Sequence, residues 1–204
     1  MTISGTVRVR CPACQREQEV PLVQSINTRQ NPELKVRLLA GDLNVLACEC
    51  GKRTKLEATL LYHDPDRDYF CQACPGGEDA MAAGEAAFAA IGAVGTRRLV
   101  PSQNALMEKV KILEAGLDDR VVEVLKVLLL TTLGERALNS VVLFERIDRV
   151  AGIVIWFHFG RGHQLQSPSA AYDKLATTLK PADDLRIDRV WAVDAARAMM
   201  TNAN

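Results

Sequence analysis

The chain has 204 residues, of which 48% are hydrophobic and 25% charged, the balance of an ordinary globular protein with a core to bury. Its length suits one larger domain or two small ones. Lys+Arg and Asp+Glu both number 25, so the basic excess of a dedicated nucleic-acid binder is missing, although a local basic patch stays open.

In chain order, Val7 and Val9 alternate with Arg8 and Arg10 up to Cys11, the period of a half-buried strand. Residues 17–24 form a second strand, with Pro21 pointing to an edge position. Asn31, Pro32 and Glu33 read as N-cap, first helical position and first-turn acid of a short helix near 32–40, stopped by Gly41. Residues 43–47 and 54–62 are expected strands around a second cysteine pair, and 69–73 a further one. The stretch 76–95 is rich in Ala and Gly and reads as a linker or weak helix. Gly84 and Gly92 would each cost a helix roughly 1 kcal/mol relative to Ala.

From Arg97 the pattern alternates helix and strand. Ser102 caps a helix running to about Ala115. Asp118 or Asp119 starts another, running to Leu133, with apolar residues nearly all the way round, so it is expected at the centre of the core. Residues 141–147 and 152–159 read as a β-hairpin. Ser167-Pro168 opens a helix to about Leu179, 185–187 a short strand, and 190–200 a terminal helix followed by a frayed TNAN.

The opening MTISGTVRVRCPAC holds no apolar stretch of signal-peptide length. The longest apolar run, 121–133, is interrupted by Glu123 and Lys126 and falls short of the roughly 18–20 residues that cross a bilayer. The expected compartment is therefore the cytoplasm, where six cysteines read as metal ligands or thiols, not disulfides.

Cys11-Pro12-Ala13-Cys14 is a C-x-x-C pair, and Cys48-Glu49-Cys50 a second pair one residue shorter. Two thiolate pairs on separate turns are what a tetrahedral Zn²⁺ requires. Gly51 fits a turn in which backbone amides approach sulfur. Cys71-Gln72-Ala73-Cys74 offers another C-x-x-C, so four ligands are drawn from six cysteines. Cys11, Cys14, Cys48 and Cys50 are the favoured set, with Cys74 or His63 as substitute ligands, and Cys71 is expected as a buried thiol.

The sequence resembles the CpXC family on CPAC at 11–14, Ser25-Ile26-Asn27, NPELKVRLLAGDLNVLACECG at 31–51 and LLYHDPDRDYF at 60–70. It extends through NALMEKVKILEAGLDDRVVEVLK at 104–126. The resemblance implies a zinc-ribbon-like module in which Cys11, Cys14, Cys48 and Cys50 match the motif. The shortened second pair departs from the pattern. With it, the expected fold is α+β. A zinc-ribbon-like cysteine module at 1–75 is joined by the Ala/Gly-rich segment 76–96 to an α/β domain at 97–204 carrying the buried hydrophobic helix and the hairpin.

Other groupings read as structural. Asp64, Asp66 and Asp68 mimic a calcium loop but lack its Gly and Glu, leaving a solvated turn. His158 and His163 flank Gly160-Arg161-Gly162, read as a hairpin tip ahead of a small anion site. Asp118-Asp119 is explained by helix capping. No serine–histidine–acid grouping, P-loop or dinucleotide fingerprint is present, and Gly92–Gly95 lacks the required spacing.

A zinc held by four protein ligands has no open position for chemistry. The first functional reading is therefore a non-enzymatic structural-zinc protein acting through an unknown protein partner. The second is a nucleic-acid-associated ribbon using Arg8, Arg10, Arg16, Lys52, Lys55 and Arg97–Arg98. The third is an enzyme, either a dithiol oxidoreductase using CPAC or a zinc hydrolase.

Overall fold

The computed structural model describes residues 2–92, 95–134, 137, 139–159 and 161–201. The frayed end at 202–204, Gly160 of the anion-site reading and the centre of the Gly92–Gly95 stretch lie outside the described residues. The architecture is mixed α+β, in two compact units divided between Met107 and Glu108.

The first unit is built on a five-stranded sheet of order β1-β2-β5-β6-β7: β1 (Ile3–Arg10), β2 (Glu17–Asn27), β5 (Leu60–Asp64), β6 (Tyr69–Ala73) and β7 (Thr96–Val100). β1–β2 and β5–β6 are antiparallel, whereas β2–β5 and β6–β7 are parallel. Helix α1 (Pro32–Leu39) starts after Asn31 and buries Leu34 and Leu38. The Asn31 side chain donates to Glu33, not back to the helix backbone. A separate ribbon pairs β3 (Val45–Ala47) with β4 (Arg53–Lys55). The single strand expected over 54–62 is thus two, interrupted at 56–59 because β4 closes the ribbon and β5 joins the large sheet.

The Ala/Gly-rich stretch is helix α2 (Glu78–Ile91), which falls inside the first unit and buries Met81, Gly84 and Phe88. Gly84 is where the helix meets the sheet: an added Cβ would lie 2.9 Å from both Cys74 Sγ and Leu99 Cδ2. The intrinsic cost of glycine is offset here by close backbone approach. α2 is the crossover that the parallel pair β6–β7 needs. β7, written TRRLV, hides its strand character behind two arginines and is defined by its pairing with β6.

Gly95 holds φ +91, and a Cβ there would overlap the Asp68 carbonyl oxygen, which accepts from Thr96 N at 2.9 Å. Gly95→Ala is expected to cost roughly 1–3 kcal/mol in thermal or urea unfolding, from backbone strain and that overlap. Gly41→Ala, also at positive φ but with open space around it, should cost less. Equal losses would count against the overlap.

The second unit packs α4 (Asp119–Thr132), α5 (Ser169–Thr178) and α6 (Arg189–Thr201) with an antiparallel sheet of order β10-β9-β8. Its strands are β8 (Val142–Asp148), β9 (Ile153–His158) and β10 (His163–Pro168), so the expected hairpin gains a third strand. Helix α3 (Gln103–Glu114) carries the division between the units. Asp118 caps α4, its carboxylate accepting from Arg120 N at 2.9 Å. Val121, Val122, Leu125 and Leu130 enter a core with Ile112, Phe144, Trp156 and Tyr172, while Val124 meets Ala192 and Ala196 of α6. Residues 185–187 form no strand; the Ile187 carbonyl instead accepts from Lys109 Nζ at 2.8 Å. Among the described residues, no helix is long and apolar enough to cross a membrane.

Candidate metal centre

Each cysteine pair sits at the tip of a hairpin, Cys11–Cys14 between β1 and β2, Cys48–Cys50 between β3 and β4. The two tips share one design. In the first, Cys11 N donates to Arg16 O and Gln15 N to Cys11 O, both at 2.9 Å. In the second, Cys48 N donates to Lys52 O and Gly51 N to Cys48 O, again at 2.9 Å. The residue after the second cysteine takes positive φ in both: Gln15 at 62° and Gly51 at 86°. The C-x-C tip is therefore the C-x-x-C tip with one residue removed, and it turns its sulfurs the same way.

The four sulfurs converge. Cys11 and Cys50 Sγ are 3.7 Å apart, Cys14 and Cys48 Sγ 3.5 Å, and all four lie within 4.8 Å of one another. Cys11 and Cys48 are buried, and Cys14 and Cys50 exposed. Val20 and Leu46 close beneath the buried pair, with Val9 and Leu56 packed alongside. Four soft thiol donors at this separation can hold a metal ion, and among the described residues this is the grouping of ligand type that can.

Four thiols this close cannot all ionise unaided. Backbone N–H groups of Cys14 and Ala13 donate to Cys11 and draw its thiol down to about 6, outweighing burial. Cys48 receives a backbone N–H from Cys50, yet burial and its bonds to the other three sulfurs push it up to about 12. The cluster thus shares its protons unequally, and a cation would release those that remain.

The substitute ligands lie elsewhere. Cys74 is buried beneath Gly84, with Gln72 Nε2 donating to its sulfur at 3.4 Å. His63, on β5, stacks on Phe70 at 4.1 Å, and burial pushes its pKa down. Cys71 is buried in β6. Asp64 and Asp66 belong to the β5–β6 turn, Asp64 accepting from Asp66 N and Asp66 pairing with Arg29. His158 and His163 are cross-strand neighbours with rings stacked 5.1 Å apart.

A second polar grouping escapes notice in the sequence. In the second unit Lys109 Nζ donates to Asp119 (2.8 Å), Glu123 (3.2 Å) and the Ile187 carbonyl. Lys126 Nζ meets Glu123 at 2.9 Å and both oxygens of Glu108 at 3.1 Å, and Glu108 also accepts from Phe144 N. All five charged side chains are nearly buried. The available signal was Asp119, Glu123 and Lys126 at i, i+4 and i+7 on an otherwise apolar helix, one polar stripe.

No curated protein and no solved structure matches the chain. The family described as CpXC protein matches residues 9–126, which take in the four cysteines and all five members of the buried ion network. With more than half of its length matched, the chain belongs to the CpXC family.

Proposed function

We propose that this is a structural-zinc protein without catalytic activity, whose Zn²⁺-braced hairpin tips present a rigid surface to a protein partner in the cytoplasm. The observation that carries the reading is the convergence of four sulfurs from two matched turns. A regular tetrahedron with Zn–S bonds of about 2.3 Å puts its sulfurs about 3.8 Å apart. Two of the pairs here are 3.5 and 3.7 Å apart. Four protein ligands would occupy the coordination sphere, leaving no position for a catalytic water.

The oxidoreductase reading fits less well, because CPAC lies at the tip of an antiparallel hairpin and not between a strand and a long helix. The nucleic-acid reading is weakened by charge pairing. Arg8, Arg10 and Arg16 face Glu19, Glu17 and Glu49, and Arg98 is buried. Metal analysis of unheated, purified protein is expected to give one zinc per chain. A binding assay on DNA and RNA at low salt is expected to show no steep salt-dependent affinity. Stoichiometric iron would replace the metal, and a metal-free protein with a CPAC disulfide would put the redox reading first.

A further inference from the structure

The two metal-binding hairpins belong to different sheets, and no backbone ladder joins β1–β2 to β3–β4. One buried side chain bonds directly between them. Asn44, the residue before β3, is 2% exposed, and its amide pairs with a strand backbone as another strand would. Val23 N of β2 donates to Asn44 Oδ1 at 2.8 Å, and Asn44 Nδ2 donates to Val23 O at 2.9 Å. The Asn44 carbonyl accepts from Leu56 N at 2.8 Å, closing the base of the second ribbon. The backbone at Asn44 is left-handed, φ +53, a conformation Asn tolerates better than most residues. Gln103, fully buried, donates to the neighbouring Leu43 carbonyl at 3.0 Å and holds the same base from the other side.

We infer that Asn44 is a positioning residue for the metal centre: by clipping the start of β3 to Val23, it sets the spacing between the Cys48–Cys50 tip and the Cys11–Cys14 tip. The other links are softer. The Arg16–Glu49 pair is exposed on both sides, and such pairs contribute little. The small core of Val20, Leu46, Val9 and Leu56 fixes depth but not register. A buried amide that satisfies a backbone N–H and C=O together has one geometry, and it transmits that geometry four residues along β3 to Cys48. Groups that orient ligands without touching the metal typically change affinity 10–100-fold when removed.

The inference rests on the metal reading above. The test is a cobalt(II) titration of the full chain against a competing chelator, read through the thiolate charge-transfer and tetrahedral visible bands. Asn44→Gly removes the clip while keeping the left-handed backbone accessible. It is expected to bind cobalt roughly 10–100-fold more weakly, with altered visible bands. Val122→Ala, a core truncation in the second unit, lowers stability and should leave the affinity unchanged. If Asn44→Gly does not fold, Asn44→Asp serves, since it keeps the shape but places a carboxylate against the Val23 carbonyl. Wild-type affinity in the Asn44 variant, or an equal loss in Val122→Ala, would overturn the positioning role. A wild-type chain that binds neither cobalt nor zinc would instead remove the metal reading on which it rests.

Discussion

Cys11→Ser is expected to abolish stoichiometric metal binding and to unfold the two hairpin tips. Cys11 is fully buried, its sulfur lies 3.7 Å from Cys50, and it takes backbone N–H groups that a bound thiolate would keep. The core beneath the tips is small: Val20 and Leu46 with two partly buried neighbours. A module with so small a core is expected to draw much of its folding free energy from the proposed ion. Metal binding supplies on the order of 10 kcal/mol to small structural zinc sites. The measurement is metal content together with amide exchange across β1–β4, with and without chelator. Cys74→Ser, buried in the other part of the sheet, is expected to keep the metal and lose only packing. Retention of full metal content by Cys11→Ser, or its loss in Cys74→Ser, would show that the ligand set is another one.

Lys109→Met should destabilise the second unit by about 3–5 kcal/mol in urea unfolding. The ammonium fills all three of its donor sites, on Asp119, Glu123 and the Ile187 carbonyl. Removing it leaves two buried carboxylates facing each other with Lys126 as the remaining cation. Lys109→Met combined with Asp119→Leu is expected to cost less than Lys109→Met alone, because the uncompensated charge goes too. A larger loss in the double variant would defeat the argument.

The same network predicts the pH profile. Burial opposes the charged form of Lys109, Lys126, Glu123 and Glu108, and the partners decide which way each of these four moves. For Lys109 and Lys126, the carboxylates overcome burial and raise the pKa. Their contribution is complete below the ordinary lysine range and lost as pH rises through the raised values. For Glu123, Lys126 and Lys109 overcome burial and lower it, so its contribution is present above the ordinary carboxylate range and lost as pH falls through the lowered value. Glu108 is raised by burial despite Lys126, so it works the other way and gains stability on protonation. Two ammoniums meet three carboxylates, and the nearby Glu123 charge adds to burial in raising Glu108. Unfolding of the second unit is expected to be hardest between the acid and alkaline extremes.

The readable parts of this protein were those whose cause is local. Pro32 starts α1 without a side-chain cap from Asn31, Asp118 caps α4, and Ser102 begins the turn into α3, because such start signals depend on one or two neighbouring residues. The cysteines were readable for a chemical reason: paired thiols on turns have few uses in a chain of this composition, and Cys11, Cys14, Cys48 and Cys50 are the four that converge. The shortened C-x-C was open in the sequence, and the turn at Gly51 accommodates it by dropping one residue from each hydrogen-bonded span.

Other features depended on residues far away in the chain. The segment 76–95 is weak as an isolated helix, and it is a helix because Gly84 fits against Leu99 and Cys74 across the sheet. The polar groups of α4 looked like interruptions of an apolar run until Lys109 supplied a partner ten and fourteen residues away. Asn44 reads as one residue in a loop until Val23, 21 residues earlier, comes alongside it. By itself the sequence determined the starts of α1, α3 and α4 and the pairing of the thiols that converge, since start signals and thiol pairs act over a few residues. The tertiary structure alone decided which buried charges are satisfied and where the Asn44 amide finds its partner, because a buried polar group is stable only beside a partner that the fold brings to it.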